Sequence, residues 1–596
     1  MKAGILVFAC ALRLTAQPLA IPAGEPLQPP TAARLAAVEA AAQRDGWSPQ
    51  TAGLRAAAVR AYEADKLPAA EAWLNLSRWS AMLGETEAHF TARWIQAVNA
   101  AKVGHANMPS RFAATDRSLG FALSPTTQAW LIGDAALAEQ FFALLTPVDY
   151  APKVFSILDD LYRHDPALCR NYAQLALALA VVYDVPPPPT WPHGQVSAEA
   201  LPRKLPAALD AFVWWTHQDQ LGRTYLRLNK LPADELKFVV DAAAPFNELE
   251  WAQKISDFPL NSLARAYTMI RYRTERVTKD TLIWPGKTYR LTDVLRDGGI
   301  CVDQAYFATE IGKARGVPTL FFAGAGNDGR HAWFGFLDGN RTWQLDAGRY
   351  AEQKFVTGFA RDPQTWGQLS DHEVQFLAER FRELPSYRSS VVHAEFAADF
   401  LAAGEPAAAA TAARKAVNFE RRNHAAWDTL IAATEKASRD PKAPEAVMRE
   451  AALAFQARYP DLEALYVNRV SASLRARGQT SEADAEERRI ARKNQSSRTD
   501  LSITQASEAV RRAIVTQPLA GQISSYNSAL DSFGRGAGIG FFDAVVRPFV
   551  DHLLQLRQPA EALHAVDRAR NTLKVEPKSQ LDQELTALAK SVKAGE

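Results

Sequence analysis

At 596 residues the chain is long enough for about three to five domains. Apolar residues make up 47% and charged residues 22%, ordinary for a globular protein, and abundant alanine with few glycine or serine runs predicts mostly helical structure. A formal net charge of +2, from 68 basic and 66 acidic side chains, leaves no electrostatic footprint for nucleic acid, and after the N-terminus no apolar run is long enough to span a membrane.

Residues 1–20 have the layout of an export signal: Lys2 supplies the positive start, Ile5 to Leu12 a short apolar run that Arg13 interrupts, and Ala16 or Ala20 the cleavage position. The expected location is secreted or periplasmic, or cytoplasmic if that segment is not a signal. Residues 31–183 read as an N-terminal helical domain. LRAAAVRAYEADKL and PAAEAWLNLSRWSAML carry apolar residues at helical spacing, with Pro68 at a helix start and Trp73 and Trp79 in the core. Three cysteines, Cys10, Cys169 and Cys301, are too few for a disulfide framework, and Cys169 falls in a helical stretch where packing is its expected role. Pro186 to Pro189 and Trp191-Pro192 then interrupt the pattern, so residues 184–254 are expected to be a proline-rich linker followed by helices, with Trp214 and Trp215 packed inside.

Residues 255–385 hold the stretch that reads as chemistry. Gly298-Gly299 precede Cys301, which opens an amphipathic run ending at Gly316 and Pro318, as a helix would. At a helix N-terminus the unpaired N–H groups and the positive dipole end favour a thiolate. VPTLFFA reads as a strand, Gly326-Asn327-Asp328-Gly329 as a turn, RHAWFGF as a second strand and RTWQLD as a third. If Asp338-Gly339 is a two-residue hairpin turn, His331 lies directly across from Asp346 on one sheet face; if Gly339-Asn340 is the turn, Asp346 faces Trp333 instead. Either way a carboxylate could orient the imidazole.

Cys301 at a helix start, His331 with Trp333 on a strand, and Asp346 with Trp343 on the next resemble the transglutaminase-like core, a rearranged relative of the papain fold. The resemblance covers roughly residues 255–350. It implies a Cys301–His331–Asp346 triad acting through a thioester, with an upstream aromatic or amide side chain holding the oxyanion. Trp284 is the nearest candidate for that task, Tyr289 and Asn261 lie behind it, and the backbone N–H of Cys301 is the main-chain donor. No cofactor or metal is implied: His372 beside Asp371 has no ligand set at usable spacing and reads as a helix start. The segment after Asp346 is expected to wall one side of the cleft.

Residues 386–494 resemble tetratricopeptide repeats, on Gly404 with Ala409 and on Gly478 with Ala483 at the same five-residue offset. Such arrays bind a protein or extended peptide on their concave side. Gly534, Gly536, Gly538 and Gly540 lack the lysine and hydroxyl of a phosphate loop and read as a hinge within a C-terminal helical region, 495–596. The expected fold is therefore mainly α with one small α+β domain, its cysteine helix packed on an antiparallel sheet. The expected function is a cysteine hydrolase acting on amide or peptide bonds. The alternatives are a protein-glutamine acyltransferase using the same triad, and an inactive helical-repeat scaffold that binds peptide or protein.

Overall fold

The computed structural model describes residues 19–101, 115–326, 329–349 and 357–594. All but the last two residues of the expected export signal lie outside them, as do Asn327 and Asp328 of the turn before His331. The chain is mainly helical, with one five-stranded antiparallel sheet among the described residues. No helix there is long and apolar enough to cross a membrane. Two compact units emerge: the first takes Met1–Pro187, Leu205–Gln218 and Leu228–Val240, the second Pro188–Lys204, Asp219–Arg227 and Asp241–Glu596. The stretch expected to be a linker is thus shared out between them.

In the first unit, helices Ser48–Glu63 and Leu67–Gly84 form a hairpin whose inner faces bury Leu54, Ala57, Ala58 and Ala61 on one side and Ala69, Ala70 and Trp73 on the other. Small side chains let the helices approach closely while Trp73 fills the remaining volume. The turn between them puts Asp65 in a left-handed conformation (φ +58°), and the Lys66 N–H bonds back to the Ala61 carbonyl at 2.9 Å.

That turn recurs in the second unit. Gly404 and Gly478 have φ of +78° and Arg557 +58°, and in each case the next residue's N–H reaches back five positions, to Phe400, Leu474 and Leu553. The hairpins are Pro385–Ala402 with Pro406–Phe419, His424–Ala437 with Lys442–Phe455, Pro460–Ala476 with Thr480–Asn494, and Thr499–Thr516 with Leu519–Ala529. A further pair, Arg547–Gln555 with Pro559–Leu573, is followed by Gln580–Ala594. Arg449–Glu486, Arg498–Asp461, Arg568–Asp531 and Arg547–Glu584 each join residues 37 apart. The periodic array therefore runs past 494 to the last described helix. The glycine stretch expected to be a hinge is the turn between two of its hairpins, with Gly538 opening a short helix, Gly538–Phe541.

The core of the second unit is the helix Cys301–Ala314, buried from Asp303 to its end. It packs on strands β1 (Thr319–Ala325) and β2 (Arg330–Leu337). β3 (Trp343–Ala347), β4 (Phe359–Arg361) and β5 (Gln368–Ser370) complete the sheet, in the order β3-β2-β1-β4-β5.

The β2–β3 register departs from both expected ones. Leu337 pairs with Trp343 and Phe336 with Gln344, then a bulge leaves Phe334 opposite Ala347. Asp338 causes this. Its Oδ1 accepts the N–H groups of Asn340 and Thr342 at 2.8 and 2.9 Å, which favours a three-residue loop with Arg341 left-handed (φ +62°) over a two-residue turn. Each added residue turns the strand over, so Asp346 faces outward while Trp343 and Leu345 face in.

Candidate active site

Cys301 sits at the first position of its helix, where its own N–H and that of Val302 have no carbonyl to bond within the helix. The chain enters through Gly298-Gly299. A side chain on Gly299 would come within 2.3 Å of the Asp303 Cβ, so only glycine permits this entry. Asp303 caps the helix by accepting the Ile300 N–H at 2.8 Å.

Burial pushes the Cys301 thiol above its ordinary pKa; the Ala332 N–H opposes that shift, the Asp303 charge adds to it, and the N–H groups of Val302 and Cys301 again oppose it. The Ala332 contribution places the sulfur against the strand residue next to His331. His331 is buried, and its Nε2 lies 2.8 Å from the Gly348 carbonyl oxygen. A carbonyl only accepts, so Nε2 carries the proton and a neutral ring keeps Nδ1 as its accepting atom. The Trp333 ring stacks on the imidazole (centroids 5.9 Å apart, 23° between planes), and the Trp333 indole N–H is fixed by the Leu345 carbonyl at 2.9 Å. Gly348 has φ +90°, and any Cβ there would lie 2.5 Å from the Tyr267 ring. That close approach is what brings its carbonyl to His331.

Asp346 does not complete a triad. Its side chain is 73% exposed and pairs with Arg349 at 2.7 Å. The register shift is the physical reason, and a main-chain carbonyl occupies the orienting position. Trp343 packs inward with little exposure, opposite Leu337. Trp284 also departs from its expected role: its indole N–H bonds the Thr288 carbonyl at 2.9 Å, and its ring lies under the Arg276 guanidinium. Asn261 lies by Gly339, at the opposite end of β2 from His331.

Tyr289 belongs to a buried chain of polar groups behind the thiol. Arg276 pairs with Asp303 at 2.7 Å, Tyr289 donates to the other Asp303 oxygen at 2.7 Å, and His193 Nε2 lies 3.1 Å from the Tyr289 hydroxyl. Since that hydroxyl gives its proton to Asp303, His193 is the donor, while its Nδ1 accepts the Gln195 N–H at 3.3 Å. Both nitrogens are satisfied by the neutral ring. Burial, with Arg203 and Arg276 nearby, pushes the His193 pKa down to about 3. Nothing local in the sequence points to His193, because the prolines before it look like a linker. Asp303 had a detectable signal, an acid at the third position of a helix whose entry lacks a capping side chain.

Cys301 and His331 open on one cleft of about 1550 Å³. Tyr272, Val277, Phe321 and Phe359 supply apolar lining, and Thr190, His193 and Gln195 lie on the same wall. The Gln195 side-chain oxygen is buried with no hydrogen-bond partner among the described residues. Of the segment after Asp346, residues 350–356 lie outside the described ones, but Thr357, Phe359 and Arg361 do line the cleft. The opposite wall is the helical array, through Arg492, Thr499, Ile503, Arg535, Asp543 and Lys578 among others. The array is held against the sheet at Arg330, the residue before His331, whose guanidinium pairs with Asp543 at 2.6 Å and Glu584 at 2.7 Å. No group of three or more metal-ligating side chains occurs among the described residues. Comparison with protein families and with curated proteins finds no match to this chain.

Proposed function

We propose that the chain is a cysteine hydrolase of transglutaminase-like type, cleaving amide or peptide bonds with Cys301 as nucleophile and His331 as base. One observation carries the reading. A thiol at the open N–H end of a helix and an imidazole whose tautomer is set by a carbonyl face the same cleft. A raised thiol pKa means that Cys301 rests as the thiol rather than as a preformed thiolate.

The Cys301 proton passes to His331 Nδ1 as Sγ attacks the carbonyl carbon. The oxygen of the tetrahedral intermediate is received by main-chain N–H groups at the helix start. Collapse breaks the C–N bond, and the imidazolium returns its proton to the leaving amine. Water, deprotonated by His331, then releases the acid from the thioester. The Gly348 carbonyl keeps the ring oriented but brings no full negative charge, so it stabilises the imidazolium less than a carboxylate would.

The test is cleavage of a peptide library by the purified full chain beside Cys301→Ala, with iodoacetamide labelling read by mass spectrometry. Cleavage lost in Cys301→Ala, with Cys301 labelling slowed in His331→Ala, supports the hydrolase. Labelling indifferent to His331, without cleavage, would instead favour a binding scaffold. Amine incorporation outrunning hydrolysis would make the enzyme an acyltransferase.

A further inference from the structure

The charges on the array wall of the cleft are not balanced. Asp543 is taken up by Arg330, and Asp500 by Arg498 at 2.8 Å. Arg492, at the end of helix Thr480–Asn494, Arg535, in the glycine turn, and Lys578, before the last helix, are exposed and have no ion-pair partner among the described residues. They come from three successive units of the array and line one cleft. On the core side Arg361 gives its N–H groups to the Thr190 hydroxyl and the Trp366 carbonyl, and to no acid among the described residues. Asp280 is the one acidic lining residue without a partner among those described.

The core wall near Cys301 is different in kind. Tyr272 is joined by a single bridge to Gly299, two residues before the sulfur. Tyr272, Val277 and Phe359, 38%, 43% and 40% exposed, all line this cleft, so their apolar surface is grouped rather than scattered. An occupant would meet apolar surface at the thiol and cations beyond it. A chain with net charge near zero has no general reason to cluster unpaired cations in a cleft, so their grouping marks a ligand of opposite charge.

We propose that the cleft takes an extended acidic peptide segment, with apolar residues at Cys301 and carboxylates along Arg492, Arg535 and Lys578. This deepens the hydrolase reading and rests on it for which part of the segment meets the sulfur. A peptide fits better than a nucleic acid because the cleft offers apolar surface at the thiol and only a few separate cations beyond it, whereas a phosphate backbone calls for continuous positive charge.

Fluorescence anisotropy on the full chain tests this, using fluorescein-labelled twelve-residue peptides that share their apolar positions and carry Glu, Gln or Lys elsewhere. A single-stranded oligonucleotide of equal length is the control. Exposed charge contacts are worth about two- to fourfold each, so the Glu peptide should bind roughly tenfold more tightly than the Gln peptide at low salt, with the gap closing at high salt. Arg492→Gln, Arg535→Gln and Lys578→Gln together should erase the gap with the melting temperature kept. The corresponding changes to Glu should turn the preference toward the Lys peptide. Equal binding of the three peptides, or tighter binding of the oligonucleotide, overturns the inference. If the Glu preference holds while Cys301 labelling ignores His331, the hydrolase reading fails and the acidic-peptide cleft stands.

Discussion

Replacing Asp346 by Asn separates the observed register from the expected one more sharply than any other single change. If the side chain oriented His331, its loss should resemble removal of an orienting carboxylate from a catalytic triad, about a 10⁴-fold fall in kcat. The structure predicts far less. Asp346 is 73% exposed and its ion pair with Arg349 is shared, since the same guanidinium lies 3.5 Å from Asp371 and 4.8 Å from the Trp333 ring centroid. An exposed pair contributes about 0.2–1 kcal/mol, at most roughly a fivefold effect even if all of it reached the site. The bond from His331 to the Gly348 carbonyl involves no atom of that side chain. Second-order alkylation of Cys301 and kcat/KM on a cleaved peptide should both change under about fivefold in Asp346→Asn, whereas His331→Ala should slow the alkylation and lose nearly all of kcat/KM. A fall beyond about 100-fold in Asp346→Asn would refute the assignment of the orienting group.

Gly348→Ala should be the damaging change on that strand: it forces a side chain into the Tyr267 ring at positive φ, so activity should fall at least about tenfold while far-ultraviolet circular dichroism is preserved. Because burial raises the Cys301 thiol, its alkylation rate should climb with pH to a midpoint above that of an ordinary thiol, and a midpoint below neutrality would refute the resting thiol. In the native protein Cys169, fully buried with its thiol pushed up to about 12, should remain unlabelled. His193 has its pKa pushed down to about 3 in the fold against about 6.5 unfolded. Between those values the unfolded chain binds the extra proton, so stability falls as pH falls, by up to about 1.4 kcal/mol per unit. Urea midpoints at pH 7 and 5 should differ less in His193→Gln than in the parent, and equal differences would remove His193 as the cause.

The helical character of the chain, the small sheet among the described residues and the placing of Cys301 and His331 on one cleft were all legible in the sequence. Helical periodicity, the glycine-marked entry to the cysteine helix and β-branched and aromatic strands are local signals, and each carried through. The register was not legible. Asp338-Gly339 has the composition of a two-residue turn, but the Asp338 side chain captures two later N–H groups, and that depends on where its oxygen points. The extent of the array was missed for a related reason. Asp65 and Arg557 adopt the same left-handed turn as Gly404 and Gly478, so glycine marks only part of a recurring conformation. His193 could not be placed at all, since its partner Tyr289 is 96 residues away and what pairs them is packing.

Long-range dependence reaches the candidate site itself. Arg330 precedes His331 by one residue, and its guanidinium is bound by Asp543 and Glu584, 213 and 254 residues further on. The Arg330 main-chain N–H is taken by Gln580 at 2.8 Å. The end of β2 that carries the imidazole is therefore braced by the last described helix. Two partly exposed ion pairs contribute on the order of 1–2 kcal/mol, too little to decide whether the protein folds but enough to set how often the array lifts from the sheet. Arg330→Gln should lower the melting temperature only modestly, yet it should speed hydrogen exchange in β2 (Arg330–Leu337) and in Gln580–Ala594 together. It should also make Cys301 alkylation less sensitive to salt than in the parent, where salt screens the Arg330 ion pairs. Exchange that quickens in one segment and not the other would show that they do not open as one element, and the array would then be a neighbour of the cleft rather than its movable wall.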